Sequence, residues 1–349
     1  MKRSDTDLAF LLRYENVAWY HDGAVKILDR RIYPIKTEYV VCKKHVDVAQ
    51  AIADMVTQSG GPYLAANMGM ALASYEAKDL PEAAYLAFME EAAYTLSHAR
   101  PTTVAKMIAV TERAMQVVRT HLKQGKTGVD IANAIFENAI ESKNKDYDTI
   151  EKIAAYLYGQ IPYEGTVLTQ CYAETVIGML LRICRRNGNE IKFICPETRP
   201  YYQGARLTAS VIHDMGFDVT VITDNMPAYV IKEKKVDVFT SAADVISLDG
   251  HVVNKVGTFQ IALAANYWGI PYFCTGFPNK AHPTIASVVI EQRDPELVLE
   301  SMGRKHTMPG VKGFYPAFDI TPPKLCDGIV TPKGIYSPYD LTHYFDCED

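Results

Sequence analysis

Between residues 166 and 275 the chain alternates short, β-branched apolar segments with segments of helical spacing, and this rhythm limits the fold more than any other feature. Strands are predicted over 166–169, 191–195, 218–223, 236–240 and 271–275, with helices over 173–187, 204–215, 227–234 and 257–268. A strand followed by a helix of that length does not return as a hairpin; it crosses over, in the right-handed sense, to a parallel neighbour. The C-terminal half is therefore expected to be an α/β, Rossmann-like doubly wound, mostly parallel sheet. Its ligands belong beyond the carboxyl ends of the strands.

The N-terminal half reads differently. Short β-branched and aromatic runs surround the turn His21-Asp22-Gly23, so VAWYHDGAVKILDRRI predicts a hairpin followed by a further short strand. From 46 to 145 the spacing is helical, with breaks at Ser59-Gly60-Gly61-Pro62, Leu80-Pro81 and Arg100-Pro101, which predicts a helical bundle. The break Gly159-Gln160-Ile161-Pro162 separates the halves, giving an N-terminal β-hairpin and helical domain over 1–158 and a catalytic domain over 159–349.

Composition narrows the partners. With 41 acids against 36 bases and no long basic run, nothing tracks a phosphate backbone, so nucleic acid is not an expected partner. No run approaches the roughly 20 apolar residues of a membrane span or has the form of a signal peptide, and a cytoplasmic location is expected. The cysteines Cys42, Cys171, Cys184, Cys195, Cys274, Cys326 and Cys347 show no CxxC and no paired His spacing. Reduced thiols are expected, with no disulfide frame and no metal site.

The strand-end loops carry the candidate chemistry. Cys171 follows the first strand where a helix begins, a position that tends to lower a thiol pKa, although free cysteine is commonly a packing residue. Asp244 follows the fourth among small apolar neighbours, where burial would raise its pKa and equip it as a general acid. The loop from Glu197 to Arg206 mixes a carboxylate, guanidinium groups and the carboxamide of Gln203, which stands beside Gly204 and suits a phosphorylated polyol. Asn254 and Lys255 open the next expected helix, and Lys255 could neutralise a phosphate. No GxGxxG, P-loop, GxSxG or HExxH motif occurs.

Taken in order, LTQC, ETRPYYQGARLTA, VITDNMPAYVI, SAADVISLDGHVVNKVGT and YPAFDITPPKLCDGIVT resemble the methylthioribose-1-phosphate isomerase family. Its wider group includes ribose-1,5-bisphosphate isomerases and regulatory subunits of the eukaryotic initiation-factor exchange complex. The resemblance implies an isomerase that turns a 5-substituted ribose 1-phosphate into the ribulose 1-phosphate, with no cofactor. A homodimer and a small sugar-phosphate ligand are also implied. The alternatives are a non-catalytic sugar-phosphate or nucleotide sensor and a ribose-1,5-bisphosphate isomerase.

By position, the resemblance implies Cys171 and Asp244 as catalytic residues and Gln203, Asn254, Lys255 and Arg100 as substrate-binding residues. Two segments depart from the family pattern. Thr57-Gln58-Ser59-Gly60-Gly61-Pro62-Tyr63-Leu64 stands in place of a phosphate loop with an arginine, so phosphate is expected on the backbone N–H groups of Ser59, Gly60 and Gly61. Tyr172-Ala173-Glu174 replaces Asn-x-Gly after the cysteine, adding bulk and a carboxylate.

Overall fold

The structure, a computed structural model, describes residues 3–100 and 104–346, and of Ala105 and Glu174 only the backbone. Cys347, residues 101–103 of the Arg-Pro-Thr-Thr segment and the Glu174 carboxylate thus lie outside the described residues. The chain divides into two compact units, Met1–Asp148 and Thr149–Asp349.

In the first unit β1 (Ala18–His21), β2 (Ala24–Leu28) and β3 (Tyr39–Cys42) form an antiparallel sheet in that order, with Ala18 opposite Ile27 and Val25 opposite Cys42. The β1–β2 turn holds Asp22 at φ 50° and Gly23 at φ 74°, the left-handed pair that a two-residue hairpin demands. Helices α1 (His45–Ala53), α2 (Gly61–Glu76), α3 (Glu82–Ser97) and α4 (Val104–Leu122) follow. Then comes α5 (Gly128–Tyr158), whose residues from Thr149 onward belong to the second unit. Helix α2 is apolar all round and buries Leu64, Met68, Met70 and Leu72 completely or nearly so.

The second unit alternates β4 (Thr166–Leu168), α6 (Glu174–Asn187), β5 (Lys192–Pro196), α7 (Ala209–Asp214), β6 (Asp218–Ile222), α8 (Pro227–Glu233) and β7 (Val238–Ala242). After β8 (Val245–Ile246) and β9 (Val252–Lys255) come α9 (Thr258–Trp268) and β10 (Tyr272–Thr275). The short elements α10 (Glu296–Leu299), β11 (Glu300–Ser301) and β12 (Arg304–Lys305) precede β13 (Phe318–Thr321), β14 (Gly328–Thr331) and β15 (Gly334–Tyr336).

The main sheet has the order β15-β14-β10-β7-β4-β5-β6, parallel throughout except for β15. The doubly wound expectation holds, and each predicted strand lies within two residues of its observed bounds. Leu168, Ile194, Phe239, Tyr272, Cys274 and Ile329 form the buried centre, each large aliphatic or aromatic side chain contributing about 1.5–3 kcal/mol relative to exposure.

Two details differ from the sequence expectation. The helix expected from 204 begins as a π-helical turn, Gly204–Thr208, before α7. Asn254 and Lys255 end a strand instead of opening a helix, because the β-branched Val252 and Val253 pair with β8 and β13 in a separate antiparallel sheet. No helix among the described residues is long and apolar enough to cross a membrane.

Candidate active site

From the central β4 the chain proceeds to β5 and β6 on one side, and later to β7, β10 and β14 on the other. The switch point lies between β4 and β7, which pair Leu168 with Phe239. In an open α/β sheet this is where a ligand crevice forms. Cys171 stands just beyond β4 and Asp244 just beyond β7, and the Asp244 charge acts on the Cys171 thiol.

Cys171 is half-buried and holds φ 57°, a left-handed conformation that costs a non-glycine residue energy. The Thr208 hydroxyl pins it by donating to the Cys171 carbonyl at 2.5 Å. Its thiol is pushed up to about 11, by burial first and by Asp244, against the pull of Lys255 and Arg293. This corrects the expected lowering: α6 begins only at Glu174, so the thiol gains little from the helix terminus while losing solvent. At neutral pH it is a protonated thiol.

Asp244 is fixed through its backbone N–H, which donates to the Val253 carbonyl at 2.9 Å. The residue is exposed, so the burial among apolar neighbours from which its acid role was argued does not exist. Its part in the site rests on position and charge.

Lys255 is 4% exposed; its ammonium donates to the Ala317 carbonyl at 2.9 Å and lies 4.7 Å from the Phe318 ring centre and 5.9 Å from that of Tyr315. Burial holds its pKa below the ordinary lysine range, while Cys171 and Asp244 pull it upward. Cys171, Asp244 and Lys255 therefore form one electrostatic cluster. Asn254 beside it is buried and donates to the Thr258 hydroxyl at 3.0 Å.

Gln203 is buried in the loop after β5, and its amide oxygen has no hydrogen-bond partner. Gly204 packs against that strand end: a Cβ there would stand 1.8 Å from the Pro196 carbonyl oxygen. The Asp224 carboxylate clamps the same loop, accepting from the N–H groups of Thr198 and Arg199 at 2.7 Å each. Arg199 is spent on the carbonyls of Glu300 and Val298, at 2.7 and 3.4 Å, a bracing role.

Four residues escaped the sequence reading. Gln170 is 2% exposed, donates to the Val256 carbonyl at 3.2 Å and keeps an amide oxygen without a partner. Arg293 is bonded to Glu291 at 3.0 Å, lies over Tyr201 and Phe318, and acts on both Cys171 and Lys255. Tyr315 flanks Lys255, and Asp319 accepts backbone N–H groups at the start of α9. For Tyr315 and Asp319 the signal was YPAFDITPP, where two aromatics and an acid interrupt a stretch lacking periodicity, and for Gln170 it was the LTQC segment.

Ser59, Gly60, Gly61 and Arg100 belong to the first unit. Ser59, at φ 57°, and Gly60 lead into α2, whose first turn carries no side-chain cap. The Gly61 N–H donates to the Gln58 carbonyl at 3.0 Å, which withdraws it from the expected phosphate set. The fully buried Arg30 supports this turn by donating to the carbonyls of Gln58 and Leu11, each at 3.0 Å. Arg100 is half-buried at the end of the described part of the α3–α4 connection.

The sheet and its switch-point cluster define a doubly wound α/β protein with a thiol, a carboxylate and a buried lysine grouped at the switch point. A sequence model described as the Initiation factor 2 subunit family matches residues 60–338. The chain is 33% identical over 336 residues to the methylthioribose-1-phosphate isomerase of Heliobacterium modesticaldum, covering 91% of this chain and 95% of that one. The crystal structure of 5-methylthioribose 1-phosphate isomerase from Pyrococcus horikoshii OT3 superposes with a TM-score of 0.83 at 29% identity, covering 95% of each chain. That of translation initiation factor eIF-2B, subunit delta, from A. fulgidus gives 0.80 at 28%, covering 93% of this chain and 96% of that one. The chain belongs to the Initiation factor 2 subunit family and groups within it with the methylthioribose-1-phosphate isomerases.

Proposed function

We propose that this chain is an aldose–ketose isomerase that converts a 5-substituted ribose 1-phosphate, in its 5-methylthio or 5-deoxy form, to the corresponding ribulose 1-phosphate. The observation that carries this reading is the convergence of Cys171 and Asp244, beyond the neighbouring strands β4 and β7 at the switch point of the main sheet, with Lys255 at the end of β9. The name borne by its relatives supports the substrate class, and the methylthio form would place the enzyme in methionine salvage.

A ribose 1-phosphate cannot open spontaneously to a free aldehyde, because its anomeric oxygen carries the phosphoryl group. Asp244, exposed and so able to take up a proton from solvent, donates it to the ring oxygen as the C1–O4 bond breaks, leaving a cationic C1. A hydrogen then passes from C2 to C1, and the C2 hydroxyl loses its proton to give the ketone. In one route a base takes the C2 proton, the electron pair forms a C1–C2 enol and C1 is reprotonated. In the other the C2 hydrogen moves directly to C1 with its electron pair. Cys171 serves the first route as proton carrier once Lys255 and Arg293 help it ionise, and borders the second as a neutral thiol. Lys255 holds the phosphate charge, and the amide oxygens of Gln203 and Gln170 accept sugar hydroxyls. Ser59, Gly60 and Arg100 are assigned to anion binding in the first unit. None of these steps draws on a metal or organic cofactor.

We extend the reading to a cytoplasmic homodimer. Tyr229 on α8 and Leu263, Tyr267 and Trp268 on α9 are exposed by 70%, 46%, 79% and 40%, and the Trp268 indole ties the two helices by donating to the Ala228 carbonyl at 2.9 Å. An exposed apolar patch of this kind supports an interface there.

Isomerisation run in deuterium oxide tests the chemistry: deuterium at C1 of the product supports the enol route, and its exclusion supports direct transfer. The likeness to the A. fulgidus subunit favours a second reading, a non-catalytic sugar-phosphate or nucleotide sensor. Saturable binding without turnover of the methylthio, deoxy or 5-phosphorylated ribose 1-phosphates would select it. A strong preference for ribose 1,5-bisphosphate would instead move the chain to that substrate.

A further inference from the structure

We infer that Asp319 is a positioning residue whose carboxylate holds the turn between β9 and α9 in the shape that presents Asn254, Lys255 and Gln170 to the site. This rests on the isomerase reading above. In β13, Asp319 lies opposite Asn254 and Phe318 opposite Lys255. The Asp319 carboxylate accepts the Gly257 N–H at 2.6 Å and the Phe259 N–H at 3.2 Å. The Gly257 donor lies in the turn and the Phe259 donor in the first turn of α9, and the turn also touches Gln170: the Gln170 amide donates to the Val256 carbonyl at 3.2 Å, and a Cβ on Gly257 would stand 2.9 Å from the same amide nitrogen. Gly257 has φ 107°, which only glycine adopts without strain, and because glycine is also free to leave that conformation the turn is fixed by its hydrogen bonds from outside. Two residues before Asp319, the Ala317 carbonyl receives the Lys255 ammonium. One short segment, 317–319, thus holds the turn and the lysine together.

The clamp is sensitive to protonation. Burial pushes the Asp319 carboxyl up to about 6, against the two N–H bonds and the charge of Lys255. Lys255 is the charged group that β9 turns toward it, α9 contributes the neutral Gln260 in its first turn, and the β13 neighbours Phe318 and Ile320 carry no charge. Around Lys255 stand Cys171, Asp244, Arg293 and Glu291. Below pH about 6 the carboxylate becomes a neutral acid and its bonds to the two N–H groups weaken.

The test combines the pH dependence of kcat/KM from pH about 5 to 9 in wild type, Asp319→Asn and Phe259→Pro with hydrogen exchange, read at the Gly257 and Phe259 amides in wild type and Asp319→Asn and at the Gly257 amide alone in Phe259→Pro. Wild type is expected to lose activity and amide protection together near pH about 6. Asp319→Asn should fall at least about 10-fold at pH 8 and lose this acid limb. Phe259→Pro removes one N–H that favours the carboxylate, so its limb should move upward by about half a unit. Thermal melts check that each variant is folded; if Asp319→Asn is not, Phe259→Pro and the wild-type exchange decide. An unchanged limb in the folded variants would assign it to the substrate phosphate and overturn the inference, as would pH-independent protection in wild type. pH-dependent protection without turnover of any sugar 1-phosphate would support the clamp while sinking the isomerase reading.

Discussion

The ammonium of Lys255 donates to the carbonyl of Ala317 at 2.9 Å, and this bond holds a buried cation beside a thiol that is itself protonated at neutral pH. A lysine kept at 4% exposure with its pKa held down is not there for stability: burying an ammonium costs free energy, and function is the reason to retain it.

Lys255→Met is therefore expected to lower kcat/KM by at least about 100-fold while leaving the melting temperature unchanged or higher. Steady-state kinetics and a thermal melt on one preparation check both halves.

Lys255 also sets an expectation for alkaline pH. Its folded pKa is lowered, so it loses its proton at a lower pH than an ordinary lysine, and the grip on phosphate weakens there. The alkaline limb of kcat/KM should fall below the usual lysine range. Arg293→Met, which removes a neighbouring cation that pushes Lys255 down, should move that limb upward.

Cys171 should behave as a sluggish nucleophile. With the thiol pushed up to about 11, alkylation by iodoacetamide should be slow at neutral pH and rise steadily toward that value. Mass spectrometry of the Cys171 peptide over a pH series measures this; fast labelling at pH 7 would show that the thiol is not held in the environment described.

Gly204→Ala places a Cβ 1.8 Å from the Pro196 carbonyl oxygen, a backbone atom that cannot swing away. The loop or the strand end must shift, so a loss of at least about 2 kcal/mol in chemical denaturation is expected, with activity falling alongside as Gln203 moves.

On α9, Leu263→Asp together with Tyr267→Asp should convert the proposed dimer into a monomer in sedimentation velocity. Unchanged sedimentation of the double variant would remove that face from the proposed interface.

The strand–helix alternation from 166 to 275 was legible because each crossover leaves a local pattern, and the resulting sheet places Cys171 and Asp244 beyond neighbouring strands. Their environments were not legible. The charge and hydrogen bonding around Cys171 come from Lys255, Arg293 and Thr208, which arrive from 37 to more than 100 residues away in sequence. Asp244 looked buried because its neighbours in sequence are small and apolar, whereas exposure is decided by packing in space. Strand β9 was missed for a similar reason: its partner β13 lies more than 60 residues later, behind a segment with no regular pattern. Asp319 and Tyr315 escaped with it.

The most direct test is turnover of 5-methylthioribose 1-phosphate and 5-deoxyribose 1-phosphate by wild type, Cys171→Ala and Asp244→Asn, with the ribulose 1-phosphate product followed by NMR. Conversion by wild type and a loss of at least about 1,000-fold in each variant are expected from a cysteine and an aspartate acting on the same sugar. Undiminished turnover in both variants would contradict the assignment of the reaction to this pair.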